Sequence, residues 1–190
     1  MLFAVLMLLA GWAQAQSQTE ISQFKLERTE DEIHLSAQLQ FELPAAVEEA
    51  LLKGIPMYFL IEADIMRERW YWYDKRIAGV QRQLRLAYQP LTRRWRLNVN
   101  TGSGAGGNVG LALNQSLETL PQAMAIIKRV ARWKVVDIAD LDALQKYKIE
   151  FRFRLDLSQL PRPFQIGALG QSEWDIAANY LAPLTLESLK

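Results

Sequence analysis

Six apolar residues at every second position, Tyr147, Ile149, Phe151, Phe153, Leu155 and Leu157, constrain this chain more than any other stretch. Lys148, Glu150, Arg152 and Arg154 fill the places between them. A period of two puts one set on each face of a β-strand, so one side is committed to a core and the other to water. Ile33, Leu35, Ala37, Leu39, Phe41 and Leu43 repeat the pattern, opposed by His34, Ser36, Gln38, Gln40 and Glu42. Phe24 to Arg28 supplies a hairpin partner across Thr29-Glu30-Asp31-Glu32.

Further strands follow the same logic. Met57 to Met66 is apolar on both faces at first. Leu84, Leu86 and Tyr88 oppose Arg85, and after a turn at Pro90-Leu91-Thr92 the residues Trp95, Leu97 and Val99 oppose Arg94, Arg96 and Asn98. Val109, Leu111 and Leu113 predict a short strand beyond a Gly-rich loop over Thr101 to Gly110, and Trp133 to Asp137 another. Pro44 opens a short helix that stops at Lys53-Gly54-Ile55-Pro56. Thr119 and Gln122 form a capping box for a second, spanning Leu120 to about Ala131 with Leu120, Ala123, Met124, Ile127 and Val130 on one face. Leu160-Pro161-Arg162-Pro163 is expected to be extended. The expected fold is mainly β with two short helices (α+β), a curved antiparallel sheet forming a β-sandwich or a partial barrel.

The chain begins with an apolar run, Leu2 to Ala10, followed by Gly11-Trp12-Ala13-Gln14-Ala15. The run is half the roughly twenty residues needed to span a bilayer, and the Ala-x-Ala ending reads as a secretory cleavage site. The expectation is a signal peptide over residues 1–15, a flexible stretch over 16–23 and one globular domain over 24–190, located in the periplasm. An uncleaved run would act instead as a weak amino-terminal anchor. There is no cysteine, which excludes disulfide staples, a thiol nucleophile and a lipidated cysteine. The formal net charge is +1, too small for bulk attraction to polyanions.

No catalytic, cofactor-binding or metal site is assigned. Gly102, Gly104 and Gly107 match Gly-x-Gly-x-x-Gly, but a strand pattern follows where a phosphate site needs a helix. His34, the single histidine, sits on a polar strand face with Glu32 and Glu42 and reads as a surface residue. Glu62 and Asp64 share a strand face, a spacing that suits glycosidic chemistry or a divalent metal, with Arg67 and Arg69 as ordinary ion partners.

The strongest local anomaly is basic. Between Arg67 and Arg96 lie nine cationic residues (Arg67, Arg69, Lys75, Arg76, Arg82, Arg85, Arg93, Arg94, Arg96) against two acidic ones, Glu68 and Asp74. Trp70, Tyr71, Trp72 and Tyr73 lie among them. Cations beside aromatic rings suit an anionic lipid, a glycopolymer or a protein surface, and export argues against nucleic acid. Arg67, Arg69, Trp70, Trp72, Lys75, Arg76, Arg93, Arg94 and Arg96 therefore form the candidate contact surface. An Arg-decorated solvent face is the plainer alternative, and the sequence leaves open whether Trp70 to Tyr73 is core or surface.

Several segments also resemble a known family. They are Lys53-Gly54-Ile55-Pro56 with Met57-Tyr58-Phe59, Arg69-Trp70-Tyr71-Trp72, Leu86-Ala87-Tyr88-Gln89-Pro90-Leu91-Thr92-Arg93, Leu155-Asp156-Leu157-Ser158-Gln159-Leu160-Pro161 with Pro163-Phe164-Gln165, and Trp174-Asp175. Together they resemble the exported proteobacterial family catalogued as domain of unknown function 4390. The resemblance implies an exported protein, often encoded beside a nitrogen-type sensor kinase and its regulator, and it carries no activity, ligand or catalytic residue.

The leading expectation is a non-enzymatic periplasmic binding or regulatory domain of an envelope-sensing system, with a partner such as the periplasmic region of a sensor kinase. Two alternatives stand beside it. One is a carrier or sensor of envelope lipid, with an acyl chain between Phe59, Leu86, Phe151, Phe153 and a helix; the other is a glycan hydrolase using Glu62 and Asp64.

Overall fold

The computed structural model describes residues 19–71, 73–103, 109–168 and 171–185. The expected signal peptide, Trp72, Gly104 and Gly107 lie outside the described residues. Among the described residues nine strands form two antiparallel sheets that do not close into a barrel. β1 (Glu20–Arg28), β2 (Glu32–Gln40) and β7 (Arg129–Asp137) make a three-stranded sheet in the order β1-β2-β7. The six-stranded sheet comprises β3 (Met57–Arg67), β4 (Lys75–Gln89), β5 (Arg94–Ser103), β6 (Val109–Leu117), β8 (Tyr147–Leu155) and β9 (Ala177–Leu184), ordered β6-β5-β4-β3-β8-β9. Helices α1 (Ala45–Leu52), α2 (Leu120–Ile127) and α3 (Arg162–Ala168) are short.

The alternation of β8 is obeyed at every position from Tyr147 to Leu155, the odd-numbered residues being buried. Its inward residues stack on those of β3, which it pairs from Phe59↔Leu155 to Arg67↔Tyr147. The Phe59 and Phe153 rings lie parallel at 5.9 Å, and Phe41 approaches Phe153 to 5.1 Å from just beyond β2. On the other side Phe24 of β1 meets the edge of Phe151 at 5.9 Å. These rings join the two sheets into one sandwich, and each fully buried phenylalanine contributes about 1.5–3 kcal/mol of hydrophobic stabilisation. The four residues expected to line an acyl cavity, Phe59, Leu86, Phe151 and Phe153, are all within 1 % of full burial in this shared core.

The chain departs from the periodicity at several places, and β2 stops at Gln40 short of Leu43 as β8 stops at Leu155 short of Leu157, which opens a 3-10 turn. β1 reaches back to Glu20 rather than starting at Phe24, because a bulge between Ser22 and Lys25 keeps the earlier residues in register with Gln38 to Gln40. α2 ends at Ile127 rather than near Ala131; the Leu39 N–H donates to Lys128 C=O and Val130 faces Ala37, so pairing with β2 takes over. Arg162 and Pro163 are helical, since Pro163 falls in the first turn of α3, where a missing N–H costs nothing. Thr101 to Ser103 and Val109 to Gly110, expected in a loop, extend β5 and β6. The capping box at Thr119 forms as expected, and Gly54 takes φ +84° after α1.

Candidate functional site

β3 and β4 form one long hairpin, in register from Met57↔Leu86 to Arg67↔Lys75, with a bulge beside Ile65. The inward residues of β3, Phe59, Ile61, Ala63 and Ile65, are buried, while Tyr58, Glu62, Asp64 and Met66 occupy the outer face. Two charged regions lie on this hairpin, and they differ in how their charges are used.

The first is centred on Asp64, whose residue exposure is only 5 %. Register sets Glu150 opposite Asp64 and Arg152 opposite Glu62 on β8, and Gly79 opposite Asp64 on β4. Arg152 donates from Nη2 to Asp64 Oδ2 at 2.6 Å and lies 3.7 Å from Glu62. Arg154 approaches Glu62 at 3.8 Å. Arg76 reaches across Gly79 to bring Nη2 within 2.7 Å of Asp64 Oδ1, a contact of charges rather than an aligned hydrogen bond. A Cβ on Gly79 would fall 2.0 Å from that Nη2 and 2.4 Å from Oδ1, so the absent side chain is what lets the pair form. The carboxylates are thus partnered by Arg76, Arg152 and Arg154, not by Arg67 and Arg69 as their spacing suggested. An isolated glycine in a strand was the available signal of close approach.

The second region is the tip, residues 68–71 and 73–74. Its base is tied to the start of β8: the Glu68 N–H donates to Lys146 C=O at 3.0 Å, and Asp74 pairs with Lys148. Hydrogen bonding from Lys148 holds the Asp74 carboxyl below its ordinary value, and the same bond raises the Lys148 ammonium. Beyond this base Trp70, Tyr71 and Tyr73 are 85, 75 and 96 % exposed. The Trp70 and Tyr71 rings touch at 4.0 Å between centroids, inclined by 51°. With Tyr73 and Asp74 they border a shallow open cleft. Arg67 and Lys75 face each other at the foot of the tip and Arg69 lies next to Trp70 in the chain, and none of the three makes an ion pair among the described residues.

The remaining members of the basic run are dispersed. Fourteen steps along β4 separate Lys75 from Gln89, about 45 Å at roughly 3.3 Å per residue. Arg93, Arg94 and Arg96 follow at the far end, Arg93 in the β4–β5 turn with φ +53° and Arg94 3.7 Å from Glu118. They are exposed, but they are not one patch with the tip. Arg76 is committed to Asp64. Arg82 points between the sheets, its guanidinium 4.8 Å above the Trp133 ring, and burial lowers its pKa. Arg85 donates from Nε to Tyr58 Oη at 3.1 Å. The fold therefore keeps Arg67, Arg69, Trp70 and Lys75 of the candidate surface together, adds Tyr71 and Tyr73, and separates Arg93, Arg94 and Arg96 from them.

His34 is half-buried rather than on the open surface, its Nε2 3.2 Å from Glu32 and its Nδ1 3.4 Å from the Thr29 hydroxyl. No cluster of three or more metal-ligating side chains occurs among the described residues. Gly102 pairs with Gln81 inside the sheet, and the segment after the glycine run enters β6 rather than a helix.

Comparison with known proteins agrees with the segments that the sequence shares with an uncharacterised family. No curated protein and no solved structure matches this chain. The family model for a domain of unknown function, DUF4390, matches residues 16–182, and the chain belongs to that family.

Proposed function

We propose that this protein is an exported binding domain of the cell envelope that acts by contact rather than catalysis, with the β3–β4 tip as its contact element. The observation that carries this reading is the contrast in charge use along one hairpin. Trp70, Tyr71 and Tyr73 project into solvent beside three unpaired cations, whereas the neighbouring ions around Asp64 are neutralised within the sheet. Exposed aromatic surface on a monomer is costly to keep and marks interaction sites. Its partner is an anionic component of the envelope, a reading supported by the cations beside the rings that no carboxylate of the described residues neutralises.

The two alternatives draw less support. Hydrolysis by Glu62 and Asp64 would need carboxylates free to exchange protons with a substrate, and both are held by arginines. A lipid carrier would need Phe59, Leu86, Phe151 and Phe153 to line an opening, and they pack on one another instead.

Retention on isolated envelopes of the parent bacterium tests the contact element. Wild-type protein is expected to sediment with them, and the triple variant Trp70→Ser, Tyr71→Ser, Tyr73→Ser to stay in solution. Charge reversal of Arg93, Arg94 and Arg96, about 45 Å away, should leave retention unchanged. Equal retention of the tip variant and wild type would overturn the assignment.

A further inference from the structure

We infer that the tip docks on an anionic phospholipid bilayer, with Trp70, Tyr71 and Tyr73 at headgroup depth and Arg67, Arg69 and Lys75 against lipid phosphates. This rests on the contact reading above and names its ligand. Three observations favour a bilayer over a groove or a polymer.

The rings stand beyond the last pair of the hairpin, and the cleft that they border is shallow and open. Exposed rings at the end of a hairpin suit a soft surface that they can enter. The residue types agree: tryptophan and tyrosine pair an apolar ring with one polar group, which places them at the membrane–water boundary. The Trp70 and Tyr71 rings are inclined by 51° and packed on each other, so they offer no flat platform for stacking along a sugar chain.

Charge supplies the third observation. Arg67, Arg69 and Lys75 give three positive charges at the rim against Glu68, because Asp74 is neutralised by Lys148. The rim therefore carries a net charge of two positive (3 − 1) on a chain whose total is only +1. Attraction to an anionic leaflet is then local and oriented, and it brings this end of the hairpin to the surface first.

Vesicles test the inference without any protein partner present. The protein, purified as the cell processes it, is mixed with vesicles of phosphatidylglycerol and phosphatidylethanolamine, or of phosphatidylcholine alone, carrying lipids brominated high on the acyl chain. Trp95, Trp133 and Trp174 are at most 7 % exposed, so quenching reports tryptophan outside the core. Quenching is expected with the anionic vesicles only, to weaken as salt is raised, and to fall in Trp70→Ala. Arg67→Glu with Arg69→Glu should lower partitioning at least about tenfold.

No binding to anionic vesicles, or binding undiminished in these variants, would overturn the proposal. Envelope retention that depends on the tip while vesicles are ignored would remove the lipid and leave the contact element standing. Loss of both would remove both.

Discussion

Asp64 and Arg69 lie five residues apart on the same hairpin, yet the fold treats their surroundings in opposite ways. Around Asp64 the sheet brings Arg76 and Arg152 against one carboxylate at 2.7 and 2.6 Å, where the Asp64 side chain is 7 % exposed. At the tip Arg67 and Lys75 face each other as the last pair of β3 and β4, two cations with no carboxylate between them, Arg69 lies beyond the paired strands, and the rings of Trp70, Tyr71 and Tyr73 find no core. Equal densities of charge thus mean different things. Where register sets opposite charges together, they become part of the scaffold; where it sets like charges together or ends, they remain available to a partner.

Breaking the scaffold side should have the largest effect. Asp64→Ala leaves Arg76 without its ion partner and Arg152 with only its longer contacts to Glu62 and Glu150, at 3.7 and 3.6 Å. Loss of one partner of a buried pair costs about 3–5 kcal/mol, and the partial exposure of both arginines reduces this to about 2 kcal/mol. Urea denaturation should show this loss, while vesicle and envelope binding of the folded fraction stays unchanged. Gly79→Ala should be milder, about 1–2 kcal/mol, because Arg76 can swing outward while Asp64 cannot. Its signature is a folded protein in which Asp64 retains Arg152 alone.

The smallest effect concerns the junction between the two regions. Lys148→Met removes the hydrogen bond that holds the Asp74 carboxyl low, so an NMR titration should find that carboxyl moved up to its ordinary range. The sign follows from both partners. The lowered carboxyl favours the folded state above its unfolded value, and that contribution disappears as pH falls through the folded value. The raised ammonium favours the folded state below its unfolded value, and that contribution disappears as pH rises through the folded value. The Asp74–Lys148 tie therefore holds across the neutral range and opens at either extreme. With Asp74 unpaired, the rim loses one unit of net positive charge, so anionic-vesicle binding by Lys148→Met should weaken modestly.

Much of the scaffold was legible because its signals are local. Alternation marked β2, β5 and β8, and turn chemistry placed the ends of α1 and the start of α2. Elements escaped where the local signal was ambiguous. Ile127 and Val130 lie three apart, as on a helix, yet β2 draws Val130 into a strand. β9 is an edge strand with mostly exposed residues and Pro183 inside it, so it carries little alternation of its own.

The site was legible only in composition. The cluster of cations and rings from Arg67 to Arg96 stands out in the chain, but sequence proximity grouped residues that β4 holds about 45 Å apart. By itself the sequence determined the β-rich class, the inward set of each strong strand and the presence of an unusual basic-aromatic stretch, since these depend on residue type and spacing. Only the tertiary structure decided which charges are satisfied. Asp64 reaches Arg152, 88 positions away, through strand register, while at the tip the same register sets Arg67 against Lys75 and leaves Arg69 and the rings beyond the last pair.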